Sequence, residues 1–250
     1  MGELSIHILG ETRDVMTCLH MDAREFIQFP KEDLKIQFPE EDLKKLVHVA
    51  AHNPEISTKD LKDAKIGQYV MIKLTDDWEV RFDIVDRGRD WLRLDSHDCI
   101  GESPWNKNGS TEGDIRLSDL QKYVNGLEEL LPAEWRGAIA PTIRYTEEYE
   151  GENGETEEYL TRLFVPDASE VFGPDPDWYE TRYDQLDFYK DRRNRMKASE
   201  PGGTEMRYWC TASASSGPAT YSVIVNAYGI SFNYYASNAA GVPVCFRINL

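Results

Sequence analysis

The stretch YWCTASASSGPATYSVIVNAYGISFNYYASNAAGVPVCFRINL, running from Tyr208 to Leu250, decides how the chain is read. Between Arg207 and Arg247 it holds no Asp, Glu, Lys, Arg or His, although the whole chain is 29% charged. Of the 39 intervening residues, 7 are Ala, 6 Ser, 5 Tyr, 3 Asn, 3 Gly and 2 Thr. Adaptable binding surfaces use this mix, because Tyr gives contact area at low entropy cost and Ser, Gly and Asn give adaptable hydrogen bonding. Ser222 to Asn226 alternates, with Val223 and Val225 on one face and Ser222, Ile224 and Asn226 on the other. Asn226-Ala227-Tyr228-Gly229 reads as a turn with glycine where positive φ is needed. Ile230 to Tyr234 returns, Tyr235 to Ala240 is a loop, and Val242 to Ile248 is a closing strand. The three strands are expected to form one small antiparallel sheet. Val223, Val225, Val242, Val244 and Phe246 are its expected inward scaffold.

Upstream, the pattern predicts an α+β chain with an N-terminal region, 1–56, and a main domain, 57–250. In the first region Leu4 to Leu9 reads as a short strand, and IQFPKEDLK (27–35) is followed by the near-copy IQFPEEDLK (36–44). Two copies are too few for a solenoid. Each proline sits where a helix can begin, with acidic residues in the first turn, and Leu43, Leu46, Val47 and Ala50 continue at helical spacing to about His52. Strands are expected at Gln68 to Leu74, Glu79 to Val85 and Trp91 to Leu94, with Asp76-Asp77 as the first hairpin turn. A polar loop spans Ser103 to Asp114. Leu117, Leu120, Tyr123, Val124, Leu127, Leu130 and Leu131 predict one helix from 117 to 131, capped by Ser118 or Asp114. Pro132 opens a second short turn. Further strands are expected at Ala138 to Tyr145 and Tyr159 to Val165, and a short helix at Gln185 to Met196. Glu147 to Glu158 holds seven Glu and no Lys or Arg, which reads as a solvated loop or hairpin tip rather than a calcium loop.

Composition narrows the partners. A net charge of −17 gives no general attraction for a polyanion, so nucleic acid is not expected to bind. No run of about 18 apolar residues predicts a membrane span. The N-terminus lacks the features of a signal peptide. Cys18, Cys99, Cys210 and Cys245 lie far apart without a CxxC, as expected of reduced, buried thiols. Arg192-Arg193-Asn194-Arg195 is expected to form an internal salt-bridge face in so acidic a chain. His48 and His52 have metal-pair spacing but no third ligand nearby in sequence. Asp95-Ser96-His97-Asp98 reads as a turn rather than part of a catalytic triad, and no nucleophile elbow occurs. No catalytic residue, metal site or cofactor is assigned, although a pair of carboxylates brought together by folding stays open.

Several segments resemble, in order, a bacterial and phage domain family of unknown function with a C-type-lectin-like fold. Tyr208-Trp209-Cys210-Thr211-Ala212-Ser213 stands where that family has Trp-Trp-Leu-Arg-Ser-Pro. Val225-Asn226-Ala227-Tyr228-Gly229 is similar to its Val-x-x-x-Gly hairpin, and Gly241-Val242-Pro243-Val244 to its Gly-Val/Ile-x-Pro ending. Leu163 to Val171, Gln185 to Tyr189 and Tyr123 to Gly126 resemble further segments, so the likeness covers about residues 60–250. Thr211 and Ser213 replace the family's Arg and Pro, and Pro243 sits one place early. The resemblance implies a C-type-lectin-like (formylglycine-generating-enzyme-like) domain with antiparallel sheets and at least two helices. The departures are similar to variable proteins of diversity-generating retroelements, including phage tropism determinants. There, adenine-directed mutagenesis turns Asn codons mainly into Ser, Tyr, Ala, Thr, Gly and Asp codons, and never into Lys or Glu.

The implied variable, ligand-contacting positions are Thr211, Ala212, Ala214, Ser215, Ser216, Tyr221, Ser222, Ile224, Asn226, Tyr228, Ser231, Asn233, Tyr234, Tyr235, Ser237, Asn238 and Ala240. A buried sheet would equally lack charge, so both readings of the gap stand at this point. The resemblance implies a protein or glycan receptor on a cell surface as partner. It also implies a place on a phage particle assembled in the bacterial cytoplasm, and a trimeric state. The alternatives are a hydrolase or oxidase on a related scaffold, or a structural virion protein with no diversified site. Related formylglycine-generating enzymes use cysteines, but Cys210 and Cys245 fall in core-like strand contexts, so that activity is not carried over.

Overall fold

The computed structural model describes residues 55–146 and 157–250. The expectations for residues 1–54, which include the duplicated segment, the helix to His52, His7, His20, His48, His52 and Cys18, lie outside them, as does the acidic run 147–156. Glu55 bridges to Tyr69, and the Ile56 amide donates to the Tyr69 carbonyl at 2.8 Å, tying the start of the described chain to its first strand.

Two sheets organise this part of the chain, antiparallel except where β11 meets β14 in the second. The first uses β1 (Tyr69–Lys73), β2 (Glu79–Arg87), β3 (Trp91–Ser96), β5 (Ile139–Ala140), β8 (Leu163–Phe164) and β15 (Cys245–Asn249). Its order is β1-β2-β3-β15-β5, with β8 also on β15. The first three strands form the meander that alternation predicts, and Asp77 takes φ 72° in the expected turn. The second sheet has the order β13-β12-β11-β14-β4. Its strands are β4 (Glu102–Ser103), β11 (Trp209–Ala214), β12 (Tyr221–Val225), β13 (Ser231–Tyr235) and β14 (Ala240–Gly241). Two ribbons complete the set: β6 (Thr142–Tyr145) with β7 (Glu158–Thr161), and β9 (Lys197–Ala198) with β10 (Met206–Arg207).

The closing strand corrects the sequence reading. It does not join the 221–235 hairpin but crosses to the centre of the first sheet. There Cys245 to Asn249 pairs with Asp95 to Trp91 on one side, and with β8 and then β5 on the other. Pro243, which has no N–H to donate, sits at the crossing. The chain 96–101 holds the crossing segment: Ile100 N–H donates to Val242 O and Ser96 N–H to Val244 O, both at 2.9 Å.

Among the described residues four short helices pack on this frame: α1 (Asp119–Gly126), α2 (Ala133–Ala138), α3 (Ala168–Phe172) and α4 (Asp187–Lys190). The single helix expected over 117–131 is divided. Ser118 Oγ accepts from the Gln121 amide at 2.9 Å, so α1 starts after it and Leu117 is left outside, 69% exposed. Past Gly126 the chain tightens into a 3-10 turn, Leu127–Leu130. The 185–196 helix is likewise α4 followed by a 3-10 turn, Arg192–Arg195. In that run Arg193 pairs with Asp191 at the surface, while Arg195 donates to the Tyr189 carbonyl and lies over Phe172. The strands expected over 138–145 and 159–165 each break in two, at Pro141 and Arg162. Their outer halves form the β6–β7 ribbon and their inner halves reach β15.

The main core draws on both sheets and α1, including Phe82, Leu94, Leu120, Val124, Ile224, Val242 and Phe246. Phe246 packs against Phe82 and Trp135, with ring centroids 5.2 and 6.4 Å away. The expected scaffold residues Val223, Val225, Val242, Val244 and Phe246 are all buried. Ile224 belongs to this main core, while Val225 and Val223 enter two smaller clusters with Trp209 and Tyr179 respectively. β12 is therefore covered on both faces.

Candidate functional site

The hairpin β12–β13 is built by its turn. Asn226 Oδ1 accepts from the amides of Tyr228 and Ile230 at 2.9 and 3.1 Å, an Asx arrangement that closes the loop. Gly229 takes φ 72°, and a Cβ there would lie 2.7 Å from the Arg192 carbonyl oxygen. The turn thus needs glycine twice over, for its backbone and for its neighbour.

β13 is the last strand of its sheet, and its aromatic residues stand on both faces. Tyr221 and Tyr235, cross-strand partners, stack with ring centroids 4.7 Å apart. A side-chain hydrogen bond to Tyr235 raises the Tyr221 phenol above its ordinary value of 10.0. On the other face Tyr234 meets Tyr208 edge-on at 5.9 Å. Phe232 shares that face and is 49% exposed, as is Tyr235 on its own side. Burial, and then the neighbouring Tyr208, raises the Tyr228 phenol. Tyr208, Tyr228, Phe232 and Tyr234 therefore gather around one side of the hairpin. Phe232 was missed from sequence because an apolar residue in an alternating strand reads as core.

Of the expected contact positions, Ser216, Tyr235 and Ser237 are exposed. Ala214, Tyr221, Asn226, Tyr228, Ser231, Asn233, Tyr234 and Asn238 are half-buried. Thr211, Ala212, Ser215, Ser222, Ile224 and Ala240 are buried and, against expectation, offer no contact surface. The reason is the position of β11, β12 and β14 inside the sheet, with Ser215 just past β11 donating its amide to the Tyr221 carbonyl. Thr211 Oγ1 is spent on the Val223 carbonyl at 2.7 Å, and Ser213 Oγ accepts the Ala168 amide at the start of α3 at 2.9 Å. Over β11 and most of β12 the missing charge belongs to a core; over β13 and the loops it belongs to a surface.

The Ser103 to Asp114 loop joins this rim. Asn106 N–H donates to Ala236 O at 3.1 Å, and Thr111 donates to Ala219 O through its amide at 2.6 Å and its hydroxyl at 3.0 Å. The loop brings the charge that the C-terminal stretch lacks. Beside it lies an open polar cleft of about 460 Å³, lined among others by Asn106, Lys107, Glu112, Asp114, Asp119 and Lys122.

A second constellation, absent from the sequence reading, is a buried ionic network. Asp95 lies in β3 rather than in the turn expected at 95–98. It accepts Arg93 Nε at 2.9 Å and the Tyr189 hydroxyl at 2.8 Å. Glu170 accepts Arg93 at 2.5 Å and both terminal nitrogens of Arg144 at 2.7 and 2.9 Å. Burial alone would raise the Glu170 carboxyl; Arg144 and Arg93 more than reverse this and hold it well below its ordinary value. Asp167 pairs with Arg182, and Asp83 accepts His97 Nδ1 at 2.7 Å. Lys197, fully buried, donates to the carbonyls of Ser96 and His97. These carboxylates meet guanidiniums and hydroxyls inside the protein rather than in the open cleft. The arrangement fastens α3 and the α4 tyrosine to the middle of the first sheet. Burial pushes the thiols of Cys99 and Cys210 up to about 12, and burial with the nearby Asp95 carries Cys245 upward as well.

Among the described residues no group of His, Cys, Asp and Glu is placed to hold a metal ion. No described helix is long and apolar enough to cross a membrane. No curated protein and no solved structure matches the chain. A family model does match: it begins just before β3, takes in both sheets from there, and runs to the last residue. Residues 88–250 match the domain of unknown function DUF6273, and over that span, more than half of its length, the chain belongs to this family.

Proposed function

We propose that this chain is a non-enzymatic binding protein that presents the uncharged rim of its second sheet to a protein or glycan receptor on a cell surface. The observation behind the reading is the aromatic set on β13 and its neighbours, with Tyr208, Phe232 and Tyr235 exposed and Tyr234 half-buried, flanked by Ser216, Ser237 and Asn238. Rigid aromatics of this kind anchor partners, and small polar residues between them adapt to what is bound. The loop 106–112, held to Ala219 and Ala236, supplies charged groups at the edge of the same rim. Two mainly antiparallel sheets with short helices are compatible with a C-type-lectin-like scaffold, the finer fold proposed here. The proposal extends to a phage or prophage origin and to diversification of the surface-reaching positions by a retroelement. The buried six are excluded from the diversified set, because a core position does not tolerate free exchange.

Binding is tested with the purified full-length protein on a glycan array and on intact bacterial cells. The wild type is expected to bind a defined glycan or strain, and Tyr235→Ala combined with Phe232→Ala to weaken binding at least about tenfold, the loss of one good anchor. No binding, or binding indifferent to both substitutions, overturns the proposal. Diversification has its own test in the neighbouring DNA. A near-identical repeat of the 208–250 coding region, differing at adenines in the surface codons, is expected close to a reverse transcriptase gene.

A further inference from the structure

The second sheet ends at β13, and no described strand pairs with its outer side. The ladder decides which backbone groups point there. Asn226 N–H donates to Ile230 O and Ala236 N–H to Thr220 O. Residues 230, 232, 234 and 236 therefore turn their amides and carbonyls towards β12, while Ser231 and Asn233 turn theirs outward; the Tyr235 amide also faces outward, and its carbonyl accepts the Asn238 amide at 2.9 Å. Such an edge accepts a further strand unless charge, proline or a bulge blunts it. The other long edge of the molecule is blunted: β1 ends in Lys73, paired with Asp77 at 2.7 Å, and Met71 on it lies opposite Arg81. β13 has no charge, no proline and an unbroken register with β12, on a chain of net charge −17.

We propose that β13 pairs antiparallel with β13 of a second copy, so that the second sheets of two chains run on as one. The register that uses all three outward residues is centred on Asn233. It sets Asn233 opposite the partner's Asn233, exchanging two backbone hydrogen bonds, and Ser231 opposite the partner's Tyr235, where the Tyr235 amide donates to the Ser231 carbonyl. Phe232 then falls opposite the partner's Tyr234, an aromatic cross-strand pair. A second copy fits this edge better than a foreign peptide for two reasons. A neutral strand selects neither an acidic nor a basic segment, whereas its own sequence matches itself about a two-fold axis. Two chains of charge −17 also repel over most of their surfaces, and an uncharged seam is where they can approach. The seam is short, so association is weak and depends on concentration. This inference shares β13 with the ligand-binding proposal but rests on the backbone edge of the strand rather than on its exposed side chains.

Sedimentation of the full chain from micromolar to millimolar concentration tests it, together with amide exchange. The mass is expected to double over that range, and exchange at Ser231, Asn233 and Tyr235 to slow as concentration rises. Asn233→Lys places like charges opposite each other, and Asn233→Pro removes an outward amide without breaking the hairpin ladder. Both are expected to stay monomeric, while Met71→Lys on β1 still dimerises. A monomer or a trimer at every concentration overturns the proposal, as does a dimer that survives both Asn233 substitutions. If circular dichroism shows both variants misfolded, the wild-type exchange decides: rates at the three amides that ignore concentration also overturn it.

Discussion

Glu170→Gln tests whether the buried ionic network holds the two-sheet frame together. The carboxylate accepts two hydrogen bonds from Arg144, one from Arg93 and one from the Asp167 amide, at 2.5 to 2.9 Å. All three charged residues are at most 6% exposed. A carboxamide keeps one acceptor oxygen, turns N–H groups against the guanidiniums and removes the negative charge, leaving Asp95 alone to balance Arg93 and Arg144. Breaking a buried pair in this way costs about 3–5 kcal/mol. With a urea m-value of about 2 kcal/mol/M, the unfolding midpoint is expected to fall by about 2 M at neutral pH. Glu128→Gln, at the partly exposed pair with Arg162, is the control and is expected to cost under about 1 kcal/mol.

The network also sets a pH signature. The Glu170 value is depressed on folding, so its contribution is complete above the unfolded value of 4.5 and is lost as pH falls below that towards the folded value. The wild type is expected to lose stability with acid in this window, and Glu170→Gln to lose that part of the slope. A midpoint shift of less than about 0.5 M for Glu170→Gln, no larger than that for Glu128→Gln, would refute the reasoning.

Thermal melts separate core from surface within the hairpin. Ile224→Ala, at a fully buried position, is expected to cost about 2–5 kcal/mol, and Tyr235→Ala on the rim less than about 1 kcal/mol. Equal losses would contradict the division. Gly229→Ala is expected to cost at least about 1–2 kcal/mol, because φ is positive and the new Cβ meets the Arg192 carbonyl; an unchanged melting temperature would mean the turn is drawn wrongly. A thiol titration at mildly alkaline pH should find no reaction at Cys99, Cys210 or Cys245 until denaturant is added, which limits the native protein to the single remaining thiol, Cys18.

Periodicity decided the local elements that depend on neighbours in sequence. The meander β1–β3, the Asn226–Gly229 turn, the Ser118 cap and the inward valines were all legible, because alternation, a glycine and a hydroxyl each act within a few residues. Burial of the second face of β12 was not legible. Ser222 and Ile224 alternate with valines as a half-exposed strand would, and only the strands beside them and the layer below make them interior. Glu170 and Asp95 looked like two of many acids, 75 residues apart in sequence. Arg93 and Arg144 became their partners only when β15 drew β3 and β8 together and set α3 beside them.

The sequence by itself determined an α+β chain, an uncharged C-terminal hairpin with a glycine turn, and a set of inward-facing valines, since these follow from side-chain period and backbone freedom. Tertiary structure alone decided that the last strand lies at the centre of the other sheet. It also decided that part of the uncharged stretch is core and part is rim, and that β13 ends the sheet with no described strand on its outer side. Strand partners are chosen by packing between segments distant in sequence. Exposure, the property on which any binding reading depends, exists only once those partners are in place.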